Sequence, residues 1–381
     1  MIPRGRLGRA ARLVTGSLGV TRAAATLGQL KGGAQKLGQM LALVADGLPE
    51  GMGDRFGRLF SDAEPRLFEE LRGQVPPCVE DVEPTPFAAA SLGQVHRARW
   101  SADGRLVAVK LLYPGVADAL RADLDNLDTA AVPARLVGGG ARLLAGLRES
   151  LLAELDLRRE AAHAHTIADA LRPWPRLRVA VPLFASEVAL VSPLLPGPPL
   201  HTVLRPVGAG PADPRQVADD VVAAICGPVF SAHVVNGDAH PGNLLLLPDG
   251  LGVVDFGAVA PVPDVATIEA TLDRLLRGDR EGALEGLGVR APALERDLQP
   301  LLGPLSPGPW DFGSDALMAH LSAVKARHPF GVREVPISAE RLPLVRATLG
   351  LHHALRRLGV RYPLAERLAE LRVEAHRPRS G

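Results

Sequence analysis

The feature that most constrains this chain is a pair of polar loops separated by a short apolar stretch. The first loop covers residues 236–243 and places Asp238 five positions before Asn243. The apolar residues between 244 and 254 have the composition of two short strands, and the second loop begins at Asp255. Carboxylate and amide oxygens are the ligands that Mg²⁺ prefers in proteins. We therefore predict that Asn243 and Asp255 bind a metal ion and that Asp238 accepts a proton or orients a nucleophile.

A strand that ends in lysine supplies the second part of the predicted site. Residues 107–110 read Val-Ala-Val-Lys, and Lys110 is one of only four lysines in a chain with 43 basic residues. Where arginine predominates, a lysine indicates a place where a compact ammonium is not interchangeable with a planar guanidinium. A lysine on such a strand can hold nucleotide phosphates. The alternative is a solvent-exposed lysine without a special role.

A predicted helix that starts near residue 148 supplies carboxylates that would orient Lys110. Asp156 and Glu160 are four residues apart and share one helical face, whereas Glu154 points the other way. Each carboxylate alone is typical of a solvated helix surface. In order along the chain, however, the lysine strand, the helix carboxylates, the Asp-x4-Asn loop and the Asp-Phe-Gly sequence have the spacing of a kinase nucleotide site.

The expected phosphate-binding loop differs from that of ordinary kinases. Ala88, Ala89, Ala90 and Ser91 precede the lysine strand where a glycine-rich loop would be expected. Glycine lets backbone amides approach phosphate closely, whereas alanine does not readily adopt a positive φ. We predict that this segment contacts phosphate in a different way, with a plain surface turn as the alternative.

An amphipathic helix is predicted near the N-terminus. Apolar residues between 27 and 44 recur at alternating steps of three and four, and Lys36 and Gln39 lie off this stripe on a shared polar face.

The remaining composition limits the possible functions. The net charge of +1 provides no overall field that would attract nucleic acid. The two cysteines have no ligand spacing, which predicts reduced thiols and no structural zinc. Neither a secretory signal nor a transmembrane helix is predicted, because long uncharged apolar runs are absent from the sequence. We expect a cytoplasmic protein, with peripheral contact to a membrane left open.

These features together predict an α+β, two-lobed, kinase-like fold. A helical extension is expected at 1–85, a small lobe at 86–196 and a mostly helical lobe at 197–381. Proline-rich stretches near residues 76–86 and 196–199 mark the two boundaries. The sequence pattern changes from helical to strand-like at the first stretch, and it becomes mostly helical after the second.

The ordered motifs resemble those of the UbiB/ADCK family of atypical kinase-like ATPases. The resemblance extends from about residue 20 to about residue 260. Its KxGQ motif and alanine-rich loop distinguish this family from ordinary kinases. The matching residues are Lys36 and Gln39 of KxGQ, Ala88 to Ser91, Lys110, Glu154 and Asp156 of ExD, Glu160, Asp238, Asn243 and Asp255.

The resemblance implies binding of ATP and Mg²⁺. It assigns catalytic roles to Asp238, Lys110 and Glu160 and metal binding to Asn243 and Asp255. The KxGQ, alanine-rich and ExD residues are expected on the nucleotide side of the site. The resemblance also implies an ATPase linked to isoprenoid quinone or other lipid metabolism at a membrane surface.

The chain departs from the family pattern at several positions. Asn236 stands where histidine is often found, and Ala239 replaces a common proline. The strand at 191–193 lacks the Met-Glu pair that often contacts adenine. We also predict that Lys36 of the helical extension contacts Glu154.

Two further functions remain open beside the ATPase. A small-molecule phosphotransferase is one, because the loop at 237–243 also resembles that of aminoglycoside and choline kinases. A non-catalytic protein whose partner affinity is controlled by nucleotide is the other. The expected partners are ATP and a lipid or a component of a quinone pathway, and no nucleic acid.

Overall fold

The computed structural model of the protein describes part of the chain. The described residues are 65–89, 92–118, 120–121, 152–153, 155–203, 213–289, 292–327 and 339–377. The predicted extension with Lys36 and Gln39 lies outside these ranges, as do Ala90, Ser91 and Glu154.

The described residues form two compact units. One unit takes the residues up to Leu157 together with Phe184–Val191, and the larger one takes Arg158–Leu183 and the residues from Ser192 onward. The mixture of helices and sheets predicted from the sequence is confirmed. The helix that carries Glu160 groups with the larger unit.

The smaller unit contains a six-stranded sheet of β1 (Val79–Glu80), β2 (Ala88–Ala89), β3 (Gly93–Trp100), β4 (Leu106–Leu112), β6 (Phe184–Ala185) and β7 (Ala189–Pro193). The strand order is β1-β3-β4-β7-β6, and β2 pairs with β3. The long strands β3 and β4 form the predicted antiparallel hairpin, whose turn places Gly104 at φ 70°. Glycine adopts this left-handed conformation without steric cost. A short helix α1 (Phe68–Leu71) and a 3₁₀ helix (Arg72–Gln74) precede the sheet in sequence.

The larger unit is mostly helical. Its helices are α2 (Leu157–Ala170), α3 (Leu200–Val203), α4 (Pro214–Ala232), α5 (Val265–Leu276), α6 (Arg280–Gly286), α7 (Pro292–Leu298), α8 (Ala316–Arg327), α9 (Leu342–Leu358) and α10 (Leu364–Ala375), with 3₁₀ helices at Gln299–Leu305 and Ala339–Arg341. Its strands are β5 (Leu177–Val179), β8 (Val234–Asn236), β9 (Leu244–Leu247), β10 (Gly250–Val253), β11 (Val259–Pro261), β12 (Trp310–Asp311) and β13 (Arg361–Tyr362).

Helix α4 is the centre of the apolar core of the larger unit. It begins where Asp213 accepts hydrogen bonds from the backbone N–H groups of Arg215 and Gln216 at 3.1 and 3.0 Å, which satisfies two free donors of the first turn. Helices α9 and α10 and strand β8 pack against helix α4. Helix α4 ends at Ala232, and β8 begins two residues later at Val234.

Two strand pairs determine where the polar loops lie. Strand β8 pairs with β11, and β9 pairs with β10, both in antiparallel register. The first loop leads from β8 to β9, and the second leads from β10 to β11. Because each loop connects the same two strand pairs, the chain must place the loops side by side.

Candidate active site

Asn236 joins the two polar loops. It is 6% exposed, and its side-chain Nδ2 donates to the backbone oxygen of Asp255 at 2.9 Å. Its Oδ1 accepts a hydrogen bond from the backbone N–H of Asp238 at 3.0 Å. An amide both donates and accepts, so one side chain holds both loops at once. The departure from histidine at this position therefore has a structural role.

Asp238 lies in the first loop with its side chain 12% exposed. One carboxylate oxygen, Oδ1, accepts a hydrogen bond from Nη2 of Arg346 at 2.9 Å. The other, Oδ2, lies 3.4 Å from Nδ2 of Asn243. The same Nδ2 atom donates to the backbone oxygen of Asp238 at 3.0 Å, which closes the loop between the two residues.

Asp255 has an unusual backbone conformation. Its φ is 65°, in the left-handed region, which costs a residue other than glycine about 1–2 kcal/mol. Its Oδ1 accepts a hydrogen bond from the N–H of Gly257 at 3.2 Å. The N–H of Val254, the residue before Asp255, donates to the backbone oxygen of Asn243 at 3.0 Å. This hydrogen bond holds the backbones of the two predicted metal ligands close together. Retained strain of this kind is typical of functional sites.

The residue after Asp255 anchors the second loop in the core. Phe256 is 3% exposed, and its carbonyl accepts a hydrogen bond from Nδ1 of His163 on α2 at 3.0 Å. Because a carbonyl oxygen only accepts, Nδ1 of this histidine carries a proton. Helix α2 therefore helps to hold the Asp-Phe-Gly segment in place.

The side chains of the two loops fit a magnesium ion that also binds phosphate. Nδ2 of Asn243 is a donor to Asp238, which leaves Oδ1 as its ligand-type atom, and the carboxylate of Asp255 supplies further oxygens. Throughout the described ranges, no group of three or more His, Cys, Asp and Glu residues could hold a metal ion. Magnesium commonly binds through one or two protein oxygens together with phosphate and water, which suits this set.

Helix α9 lies against the first loop, and the sequence reasoning missed it. A Cβ atom on Gly237 would approach Pro343 to 3.0 Å, and one on Gly350 would overlap with the carbonyl oxygen of Ala239. Arg346 lies between them on the same helix. The only sequence signal was an arginine and a glycine four positions apart in an amphipathic helix.

The smaller unit aligns Lys110 with the alanine-rich segment. In the sheet register, Ala88 pairs with Val95, and Val95 pairs with Lys110. Directly paired residues of antiparallel strands place their side chains on the same face. Lys110 is half-buried, and Ala88 and Ala89 are exposed. Ala88 and Lys110 therefore share one face of the sheet, whereas Ala89 pairs with Gln94 and lies on the opposite face.

Two of the predicted carboxylates lie around the start of α2. Glu160 is 4% exposed on this helix, and Asp156 is exposed just before it. Lys110 and Glu160 belong to different units, so their contact stays a prediction. The predicted contact between Lys36 and Glu154 involves residues outside the described ranges.

These loops and this sheet define a kinase-like protein. A family model described as the ABC1 atypical kinase-like domain matches residues 60–285, which is more than half of the chain. The chain therefore belongs to the ABC1 atypical kinase-like family, and the predicted relationship to UbiB/ADCK proteins is confirmed.

Several known proteins are similar to this chain in sequence. An uncharacterized aarF domain-containing protein kinase, chloroplastic, of Arabidopsis thaliana is 29% identical over 69% of this chain and 52% of its own length. The probable protein kinase UbiB of Cronobacter sakazakii is 31% identical over 56% of this chain and 42% of its own. The mitochondrial atypical kinase COQ8B of Rattus norvegicus is 38% identical over 40% of this chain and 31% of its own. The matches thus span a third to a half of these relatives.

A solved structure matches nearly the whole chain. The Rv3197–erythromycin complex from Mycobacterium tuberculosis aligns with a TM-score of 0.63 and 25% identity, covering 98% of this chain and 100% of that one. The kinase-like fold is thereby confirmed. No helix in the described ranges is both long enough and apolar enough to cross a bilayer.

Proposed function

We propose that this chain binds Mg-ATP and cleaves its terminal phosphoanhydride bond. The observation that carries the proposal is the joined pair of loops, in which Asn236 connects the backbone of Asp238 to that of Asp255. Catalysis of phosphoryl transfer depends mainly on positioning and charge stabilisation, which a rigid pair of loops can provide.

The side chains divide into phosphate, metal and nucleophile roles. Lys110 on β4 would bind the α- and β-phosphates, with Ala88 and the rest of the alanine-rich segment beside them. Asn243 and Asp255 would hold magnesium, which neutralises charge on the β- and γ-phosphate oxygens when bound. Glu160 would orient Lys110. Lys36, Gln39, Glu154 and Asp156 would contribute from the nucleotide side, together with Ala89, Ala90 and Ser91.

Asp238 would orient the attacking group. In hydrolysis, the water oxygen bonds to the γ-phosphorus while the bond between that phosphorus and the β–γ bridging oxygen breaks. The products are ADP and inorganic phosphate, and the water proton passes to Asp238 or to solvent. An acceptor hydroxyl in place of water would make the same residue part of a phosphotransferase.

The biological setting that we propose is isoprenoid quinone or lipid metabolism at a membrane surface. The proposal is supported by the relatives UbiB and COQ8B and by the family motifs in the sequence. The chain would contact the membrane peripherally, as part of a pathway that handles apolar substrates.

A second candidate function is binding or phosphorylation of a hydroxyl-rich small molecule. It is favoured by one observation, namely that the structure aligned over 98% of this chain is a complex with erythromycin. A macrolide carries several hydroxyl groups that could accept a phosphoryl group.

Phosphate release and the detection of phosphorylated erythromycin together distinguish these functions. Purified protein would be assayed with Mg-ATP alone, with liposomes that contain anionic lipid, and with erythromycin. Asp238→Asn removes the proposed orienting carboxylate and should lower release roughly a hundredfold or more. Asp249→Asn, in the exposed turn between β9 and β10, is the matched control and should leave release unchanged.

Each result has a distinct meaning. Release that rises with liposomes supports the lipid-linked ATPase, and phosphorylated erythromycin supports the phosphotransferase. Nucleotide binding with neither phosphate release nor phosphorylated erythromycin in any arm would contradict both and indicate a nucleotide-controlled binding protein. Release that survives Asp238→Asn would contradict the assignment of the loop.

A further inference from the structure

Helix α9 carries positive charge toward the first polar loop. Its sequence, residues 342–358, contains three arginines and no acidic residue. Pro343, Arg346 and Gly350 are three and four positions apart, so they lie on one face of the helix. Pro343 and Gly350 approach the backbone of the loop at Gly237 and Ala239. The helix therefore runs along the loop, with Arg346 at the level of the intervening residue.

That intervening residue is Asp238. Its Oδ1 lies 2.9 Å from Nη2 of Arg346, and the two side chains are 12% and 14% exposed. The contact from Asn243 to Oδ2 is longer, at 3.4 Å, and beyond the usual hydrogen-bond range. Of these two contacts, the arginine therefore constrains the rotation of the carboxylate more strongly.

The charge of the arginine matters as well as its position. A guanidinium at hydrogen-bond distance offsets the negative charge of this largely buried carboxylate and holds it in one orientation. The planar guanidinium also has directional donors that a lysine ammonium lacks.

We infer that Arg346 is a positioning residue that orients Asp238 for phosphoryl transfer. This inference rests on the proposed function. It also extends the site beyond residues 60–285, the part that matches the family domain, into the C-terminal helices. The loop would thus be complete only when α9 is packed against it.

A double-mutant cycle tests this role. Arg346→Gln should lower kcat for phosphate release roughly tenfold to hundredfold, with the Kd for Mg-ATP changed less than about twofold. In the Asp238→Asn background, the same substitution should change kcat less than about twofold, because Arg346 would act only through that carboxylate.

Two further variants separate positioning from general stability. Arg346→Lys keeps the charge without the planar group and should give an intermediate kcat. Guanidinium added at millimolar concentration should restore part of the activity of Arg346→Ala. Arg356→Gln is the matched control, because it removes an exposed arginine of the same helix that pairs with Asp315. It should leave kcat and Kd unchanged.

The outcomes are separable. Equal losses of kcat in both backgrounds, or no loss at all, would overturn the positioning role while wild-type phosphate release keeps the proposed function intact. Absence of release by the wild-type protein would overturn both. If circular dichroism shows that Arg346→Gln is unfolded, the cycle is run with Arg346→Lys, and an additive loss there would again overturn the inference.

Discussion

The smaller unit stabilises its buried polar groups with neutral hydrogen bonds, whereas the larger unit holds Asp238 with an ion pair. In the smaller unit, Gln94 is fully buried on β3. Its Oε1 accepts from the N–H of Arg66 at 2.9 Å, and its Nε2 donates to the Arg66 carbonyl at 3.1 Å. His96, also fully buried, lies 3.0 Å from the same Nε2. The network thus joins the chain near residue 66 to the sheet.

The tautomer of His96 follows from this network. Its Nδ1 lies 2.7 Å from the carbonyl oxygen of Glu83, which can only accept. Nδ1 therefore carries the proton, and Nε2 accepts from Gln94. The hydrogen bonds of this network connect strand β3 to neighbouring backbone and involve no charged side chain.

The ion pair of the larger unit has a different consequence. Removing a neutral hydrogen-bond partner mainly lowers stability, whereas removing Arg346 takes away the guanidinium that is paired with the largely buried carboxylate of Asp238. We therefore expect changes in the smaller unit's network to alter folding, and changes near Asp238 to alter turnover.

The largest effect on stability is expected for Gln94→Met. Methionine has nearly the same volume, but it leaves the N–H and carbonyl of Arg66 and Nε2 of His96 without their partner. The free energy of unfolding should fall by about 3 kcal/mol, as measured by urea denaturation. The kcat of the folded protein should change less than about twofold.

The matched control for that variant is Gln216→Met. Its amide lies 3.3 Å from Asp220 on the half-exposed side of α4, so its loss should cost less than about 1 kcal/mol. A Gln94→Met protein that is fully stable but inactive would break the comparison, because the neutral network would then serve catalysis.

An intermediate effect is expected for Gly350→Ala. The new methyl group would overlap with the carbonyl of Ala239, the residue after Asp238. Overpacking should lower the free energy of unfolding by about 2 kcal/mol, and the shifted loop should lower kcat roughly tenfold. Thr348→Ala, on an exposed position of the same helix, should change neither quantity measurably. Unchanged kcat in Gly350→Ala would show that the helix–loop distance is unimportant.

The smallest effect on stability is expected for the ion pair between Arg367 and Glu374, which lies far from the loops in sequence. Burial alone would raise the pKa of Glu374, but hydrogen bonds from Arg367 and Trp174 outweigh it and lower the pKa below its ordinary value of 4.5. A lowered pKa in the folded state gives stability that is present above the unfolded pKa and is lost as pH falls through the folded pKa.

Glu374→Gln should therefore cost about 1 kcal/mol at pH 7, since Arg367 keeps its contact with Glu370. The difference from the wild-type protein should shrink as pH falls below about 4.5, and kcat at pH 7 should stay unchanged. Urea denaturation of both proteins across pH 3–7 measures this difference in the free energy of unfolding. A difference that grows at low pH would contradict the assigned direction of the pKa shift.

The sequence was informative where contacts are local. Asp238, Asn243 and Asp255 could be proposed from the sequence because the four strands around them all lie between Val234 and Pro261. The pairing of these strands brings the two loops together. Arg346 was not recognised, because it is 108 positions away from Asp238 and only the packing of α9 brings it there. Asn236 was treated as a departure, since a family pattern does not show that an amide can serve both loops.

The division of the chain was also hard to predict. The helix with Glu160 follows the strands of the small lobe in sequence, yet its apolar face belongs to the core of the larger unit. Sequence order and spatial grouping differ there because the chain crosses between the units and returns at Phe184.

The most direct test of the central claim is the effect of magnesium on ATP affinity, measured by calorimetry with Mg²⁺ or with EDTA. If Asn243 and Asp255 hold the ion, Mg²⁺ should tighten ATP binding at least about tenfold in the wild-type protein and in the Asp249→Asn control. In Asp255→Asn this gain should vanish. An equal gain from Mg²⁺ in Asp255→Asn would show that the two loops are not the metal site.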